Sequence, residues 1–172
     1  ACAFIPSCET PENPVNQEED KIENGSGDTD KTDEFVILFT NDFHSQIEPM
    51  DGGGGGVLRL QALVDSVRTA EPHVLLADAG DLVQGTYYFS LLNGVVEMKM
   101  LDMLKYDIRT IGNHEFDKKM SGLGEMLAMS KVPVVASNYD FSKTDLAQYV
   151  VPSKILNAGK IKVGFIGLNV RL

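Results

Sequence analysis

Short apolar runs alternate with segments of helical periodicity along most of the chain. The apolar runs cover residues 35–39, 74–77, 108–111 and 132–136, and the helical patterns cover residues 56–70, 89–104 and 118–130. A strand that is regularly followed by a helix predicts a parallel sheet with crossover helices. The pattern therefore places the chain in the α/β class.

The pattern changes after residue 152. The stretch SKILNAGKIKVGFIGL contains two strand-like segments around an Asn-Ala-Gly turn, which predicts an antiparallel hairpin at the edge. The earlier strands are continuous apolar runs, which is typical of strands covered on both faces. Three helices are few for two faces, so we expect part of the sheet to lack cover and to expose apolar surface.

Charge is concentrated in one segment before the first strand. Of the 25 acidic residues, ten lie between Glu9 and Glu34, where only Lys21 and Lys31 oppose them. The segment is otherwise rich in Asn, Pro, Gly and Ser and almost free of apolar residues, so we expect a flexible tether. No basic cluster indicates a nucleic-acid partner, and no apolar run has the length of a membrane span.

The first eight residues, ACAFIPSC, are small and apolar and contain both cysteines, Cys2 and Cys8. Cysteines confined to this segment exclude a domain held together by disulfides. The segment resembles the end of a signal peptide, or of a bacterial lipoprotein leader in which Cys8 takes the lipid. Both interpretations stay open, and both predict export to the cell surface or periplasm. The chain thus divides into a leader remnant (1–8), an acidic tether (9–34) and a folded domain (35–172).

Three polar clusters follow directly after the first three predicted strands. TNDFHS contains Asp42 and His44, ADAGDLVQG contains Asp81, and IGNHEFD contains Asn113 and His114. Taken singly, each has an ordinary explanation as exposed polar residues, a helix cap or a polar turn. The carboxyl ends of parallel strands, however, meet at one edge of the sheet, where α/β proteins bind ligands. We therefore expect the three clusters to converge.

The combined set of side chains predicts a metal centre. Carboxylate, imidazole and amide groups suit Zn, Mn or Fe, and one carboxylate can bridge two ions. A hydrolytic site with two divalent metal ions accounts for all three clusters.

These motifs, at these separations, resemble those of the calcineurin-like metallophosphoesterases. The continuations NHEFD, ASNYD and KVGFIGL are similar to the branch that includes 5′-nucleotidases, UDP-sugar hydrolases and cyclic-nucleotide phosphodiesterases, over about Phe35 to Leu172. The resemblance implies an α/β/β/α sandwich, of which this chain is the amino-terminal half. It also implies hydrolysis of nucleotides or related phosphate esters by a hydroxide that bridges two metal ions.

The same resemblance assigns roles to individual residues. The implied metal ligands are Asp42 and His44 for one ion, Asp81 as the bridge between the ions, and Asn113 for the second ion. His114 would face the phosphate and act as a catalytic residue. Asp117 would orient the imidazole of His114.

The sequence departs from this family in its histidines. The family takes two further histidines from the later half of the catalytic domain, whereas this chain has only His44, His73 and His114. It also lacks the carboxyl-terminal domain that holds the nucleoside in this branch. We expect a truncated reading frame, an expressed fragment or one half of a split enzyme, with the missing carboxyl-terminal half required for activity. The alternative function is a non-catalytic surface lipoprotein or inactive fragment that retains the fold.

Overall fold

A computed structural model describes residues 34–170. The predicted leader with Cys8, and all of the predicted tether except Glu34, lie outside the described residues. The strands of the described part are β1 (Val36–Thr40), β2 (Val74–Asp78), β3 (Ile108–Arg109), β4 (Val134–Val135), β5 (Val150–Val151), β6 (Ser153–Ala158) and β7 (Ile161–Ile166). The helices are α1 (Val57–Ala70), α2 (Tyr87–Leu92), α3 (Val95–Met103) and α4 (Lys119–Met129), with short 3-10 helices at His114–Phe116 and Asp145–Gln148.

The main sheet contains the first five strands in sequential order, β1-β2-β3-β4-β5. Every neighbouring pair in it is parallel, and the register of the first pair sets Val36 opposite Val74 and Thr40 opposite Asp78. The predicted α/β class, with a parallel sheet and crossover helices, is confirmed. The three polar clusters follow the carboxyl ends of β1, β2 and β3, which lie at one edge of this sheet.

One face of this sheet packs against the helices. Leu76 of β2 is buried in one cluster with Val64 of α1 and Met98 of α3, and Val134 of β4 is buried in a second cluster with Leu123 of α4. Each such side chain contributes about 1.5–3 kcal/mol through burial. None of the helices within residues 34–170 is both long and apolar enough to span a bilayer.

The helix predicted over residues 89–104 is two helices in the structure. Asn93 (φ 50°) and Gly94 (φ 89°) both have left-handed backbone, which ends α2 before α3 begins. A side chain on Gly94 would lie 2.5 Å from Met126 Sδ, so the turn packs tightly against α4. The prediction of one helix was wrong because the Asn-Gly pair outweighed the helical pattern on both sides.

The predicted antiparallel hairpin is formed by β6 and β7, and within the described residues it makes a two-stranded sheet of its own. Pro152 separates it from β5, the edge strand of the main sheet. Since proline has no N–H to donate, it does not continue a ladder of hydrogen bonds. The chain therefore leaves the main sheet here instead of adding a strand to its edge.

The hairpin lies across the face of the main sheet that the helices leave open. A side chain on Gly159, in the hairpin turn, would lie 2.5 Å from Nε2 of His73, just before β2. At the other end, the carbonyl of Gly167 accepts a hydrogen bond of 2.7 Å from the N–H of Ser137. Three buried apolar residues of the main sheet belong to neither helix-side cluster and lie on this second face: Leu75, Ile108 and Val135.

Cover on this side is incomplete. Ile37 and Phe39 of β1 are 42% and 70% exposed, and Ile155 and Ile166 of the hairpin are 68% and 65% exposed. In β6 and β7 the exposed side chains alternate with half-buried ones, so one face of the hairpin is open to solvent. The expected exposure of apolar sheet surface is confirmed.

Candidate metal centre

The loops that follow β1 and β2 are joined by backbone hydrogen bonds. The N–H groups of Asp42, His44 and Ser45 donate to the carbonyls of residues 80–82, at 3.0, 3.1 and 2.9 Å. Because the two strands are parallel neighbours, their carboxyl ends meet and the loops leave the sheet side by side. The first two polar clusters are therefore adjacent.

The same two loops contain a concentration of strained backbone. Five non-glycine residues have positive φ, namely Asp42 (51°), His44 (50°), Ser45 (54°), Asp81 (53°) and Gln84 (84°). Such conformations are uncommon outside glycine and cost roughly 1–3 kcal/mol each. Strain of this kind persists where surrounding contacts fix the chain, and it is typical of functional sites.

Three of the predicted site residues converge at this edge. His44, Asp81 and His114 each offer a ligand atom, and these atoms lie within 4.8 Å of one another. The two imidazole rings meet edge to face, with 5.1 Å between their centroids. All three residues are half-buried. Two imidazole nitrogens and one carboxylate are a set that suits Zn, Mn or Fe, so the side chains fit a divalent ion.

His44 is held by a residue that sequence reasoning missed. Its Nδ1 lies 3.0 Å from Oε1 of Gln84, 40 positions along the chain. Because an amide oxygen only accepts hydrogen bonds, Nδ1 carries the ring proton and the lone pair of Nε2 is left for a metal ion. Gln84 immediately precedes Gly85 in the Gly-Asp-x-x-x-Gly motif. A polar residue at this position, after the apolar Leu82 and Val83, was the feature of the sequence that could have indicated a contact with the site.

His114 is held by two contacts. Its Nδ1 lies 3.0 Å from the Asp117 carboxylate, and its backbone N–H donates to Asp81 Oδ1 at 2.9 Å. The hydrogen bond to Asp117 raises the pKa of His114 above the usual value for histidine. The structure thus joins the second and third polar clusters through Asp81 and sets His114 beside the Asp117 carboxylate.

The other two predicted ligands lie at the margin of this group. Asp42 Oδ1 is 3.7 Å from His44 Nε2, its side chain is 59% exposed, and its other oxygen accepts a hydrogen bond from Asn41. Asn113 immediately precedes His114 and is half-buried. Asp42 is not part of the three-residue group, and the individual roles of all six predicted site residues stay predictions.

A buried polar network lies behind the site at the ends of β1 and β2. The Thr40 hydroxyl donates to Asp78 Oδ2 at 2.6 Å, and the N–H of Gly80 donates to Asp78 Oδ1 at 3.1 Å. Burial raises the pKa of Asp78 to about 7, although the hydrogen bonds from Thr40 and Gly80 oppose the shift. Tyr106 contacts the same hydroxyl at 2.8 Å, and burial raises its pKa to about 12.

Residues 35–170 match the family of calcineurin-like phosphoesterases. The chain is 38% identical to human 5′-nucleotidase over 149 residues, and 37% identical to the snake venom 5′-nucleotidase of Crotalus adamanteus over 147 residues. Each alignment covers 78% of this chain and about a quarter of the relative, 26% and 25%. The chain therefore spans about a quarter of the length of these relatives.

Solved structures agree with this match. A 5′-nucleotidase precursor from Thermus thermophilus superposes with a TM-score of 0.73 at 35% identity, over 77% of this chain and 28% of that one. The Haemophilus influenzae NAD nucleotidase superposes with a TM-score of 0.69 at 31% identity, over 77% and 26%. This chain belongs to the calcineurin-like phosphoesterase family, whose members bind divalent metals, and the resemblance inferred from its motifs is confirmed.

Proposed function

We propose that this domain is the amino-terminal part of a metal-dependent phosphoester hydrolase of the 5′-nucleotidase type, acting on nucleotides or related phosphate esters. The observation that carries the proposal is the convergence of His44, Asp81 and His114 on one point at the carboxyl edge of the sheet. Family membership and the nucleotidase names of the two relatives described above support the substrate class.

Divalent ions bound here would polarise the phosphoryl oxygens and lower the pKa of bound water. His44 would present Nε2, since Nδ1 is engaged by Gln84. Asp81 accepts from the N–H of His114, so its carboxylate is already oriented towards the same point. These contacts set donor atoms in place before any ligand arrives, which reduces the reorganisation needed for binding.

His114 has the features of an acid or of a hydrogen-bond donor to phosphate. Asp117 engages Nδ1, which leaves Nε2 to face a substrate oxygen. The raised pKa of His114 increases the protonated fraction near neutral pH, so the ring would donate a hydrogen bond to a phosphoryl oxygen or a proton to the leaving oxygen. Asp117 would thereby stabilise the charged form of the ring.

The alternative, a non-catalytic surface protein, has no supporting observation. Each predicted ligand and catalytic residue is present, and His44 and His114 both have polar partners on Nδ1 that leave Nε2 available. Two variants of the full-length protein test the catalytic proposal. Asp81→Ala should abolish retention of divalent ions, and His114→Ala should retain them but lower turnover of nucleoside monophosphates by roughly 10²–10⁴-fold.

His73→Ala is a matched control, because His73 contacts the hairpin turn and not the metal group. This variant should keep both ion content and turnover. Full activity of His114→Ala would contradict the role proposed for His114. Loss of the ions in His114→Ala would instead identify His114 as a metal ligand, in line with its place in the three-residue group.

We further propose that sequence outside residues 34–170 completes both the sheet cover and the metal centre. The exposed Ile155 and Ile166 of the hairpin and Phe39 of β1 form apolar surface that a further layer would bury. The share of the relatives covered by this chain is consistent with such a layer. We also propose that the protein is exported, because residues 1–8 resemble a leader and one relative is a venom protein. Attachment of lipid to Cys8 is one of the two proposed forms of the leader.

The 172-residue chain by itself tests this second proposal. With only Asp42, His44, Asp81 and Asn113 as predicted ligands for two ions, it should bind at most about one divalent ion, because stable sites take about four ligands each. Phosphatase activity should be negligible, and the chain should self-associate through its exposed apolar strands. Rapid hydrolysis of p-nitrophenyl phosphate by a monodisperse preparation would overturn the proposal.

A further inference from the structure

Glu115 links the two loops that carry Asp81 and His114. Its side chain is only 2% exposed, and its carboxylate accepts hydrogen bonds from backbone N–H groups. Oε2 accepts from Gly112 at 2.6 Å and from Asp81 at 3.2 Å, and Oε1 accepts from Leu82 at 2.9 Å. One bond lies within the GNHE turn and two cross to the loop after β2, so a single buried carboxylate connects both segments.

The backbone around this contact leaves no room for an alternative arrangement. Gly80 has φ 96°, and a side chain there would lie 2.6 Å from the N of Gly112. A side chain on Gly112 would overlap Asp81 Oδ1. Asp81 itself has φ 53°, a conformation that a non-glycine residue keeps only when its surroundings hold it. The N–H of Asp81 is one of the three groups that Glu115 holds.

The three N–H donors explain why a carboxylate, and not an amide, suits position 115. Each partner is an N–H, and a carboxylate has acceptor sites on both oxygens. A glutamine of the same length has one acceptor oxygen and one NH₂ group, so it would lose at least one bond and set a donor against a donor. Charge-assisted bonds to a carboxylate are also the stronger kind.

We propose that Glu115 is a positioning residue of the metal centre: it fixes the separation of the loops so that the Asp81 carboxylate and the His114 imidazole face the same point, and it does not itself touch a bound ion. The inference rests on the proposed function, because it assigns Glu115 a purpose only if a divalent ion binds at this site. Glu115 therefore acts through Asp81 and His114 and not through contact with the substrate.

Glu115→Gln in the full-length protein tests the inference, with Glu97→Gln as the matched control. Glu97 is also fully buried, and neither of its carboxylate oxygens has a hydrogen-bond partner in the described part of the chain. Manganese binding would be measured by calorimetry, and amide hydrogen exchange would be measured in metal-free protein. Far-ultraviolet circular dichroism would establish that each variant is folded.

We expect Glu115→Gln to weaken manganese affinity by about 10–100-fold, the usual effect of losing a residue that orients metal ligands. The amides of Asp81, Leu82 and Gly112 should exchange faster in this variant, while Glu97→Gln should change neither property. If Glu115→Gln does not fold, Glu115→Asp, which keeps the charge but shortens the reach, serves for the same measurements.

Manganese affinity in Glu115→Gln equal to that of the wild type, or equally reduced in Glu97→Gln, would overturn the inference and leave the metal centre intact. Unchanged exchange at the three amides would also overturn it. Absence of manganese binding by the full-length wild-type protein would overturn the proposed metal centre, and the inference with it. Unchanged manganese affinity in Glu115→Gln would thus contradict only the role of Glu115, whereas absence of manganese binding by the wild-type protein would contradict the metal centre itself.

Discussion

Replacing Asp78 with asparagine should stabilise the domain at neutral and alkaline pH and have little effect at acid pH. Asp78 is 3% exposed, and its two oxygens accept from the Thr40 hydroxyl and the Gly80 N–H. Asparagine has the same shape as the protonated acid. Its oxygen can accept from Gly80 while its NH₂ group donates to Thr40, whose hydroxyl then donates to Tyr106.

The size of the effect follows from the pKa of Asp78, which burial raises from 3.8 to about 7. The folded state therefore binds more protons than the unfolded state between about pH 4 and pH 7, so the free energy of unfolding falls as the pH rises through this range. A shift of about three units corresponds to at most about 4 kcal/mol at pH 8. Asp78→Asn should recover up to this amount at pH 8 and almost none of it at pH 4.

Urea denaturation of the dilute 172-residue chain, followed by circular dichroism from pH 4 to pH 9, measures this difference. A chelator should be present, because bound cations near the end of β2 would lower the pKa of Asp78 and shrink the effect. Asp65→Asn is the matched control, since it removes the same charge from an exposed position of α1. Its free energy of unfolding should stay within about 0.5 kcal/mol of the wild type at each pH.

Two results would refute the reasoning. If Asp78→Asn is no more stable than the wild type at pH 8, the carboxylate is not penalised by burial. If it is more stable by the same amount at pH 4 and pH 8, the gain comes from packing or hydrogen bonding and not from the proton equilibrium of Asp78.

Two further predictions concern the site itself. Asp117→Asn should lower the pKa of His114 towards the usual value, because the hydrogen bond to Asp117 is the main cause of its raised pKa. Proton NMR titration of the metal-free protein measures this pKa, and an unchanged titration curve for His114 would contradict the prediction. Gly112→Ala should weaken manganese binding by about 10–100-fold, because the added methyl group would overlap Asp81 Oδ1 and displace that ligand. Gly164→Ala is its control, since a side chain there meets no atom within 4 Å; equal ion affinity in both variants would contradict the steric argument.

The sequence by itself determined the class of the fold and the edge at which the site lies. Apolar runs separated by helical segments specify a parallel sheet, because each strand needs a crossover to return to the same edge. The convergence of residues placed just after such strands can therefore be predicted without knowledge of the loop structure. His44, Asp81 and His114, which follow three different strands, meet within 4.8 Å for this reason.

The tertiary structure decided how those residues are held. Gln84 contacts His44 across 40 positions, and Glu115 reaches the N–H groups of Asp81 and Leu82 across more than 30. These pairings depend on the path of loops with positive φ, and local hydrophobic periodicity carries no information about that path. The same limit applies to the hairpin, whose strands were evident from their pattern. Its position over the second face of the sheet was fixed only by contacts such as that of Gly159 with His73.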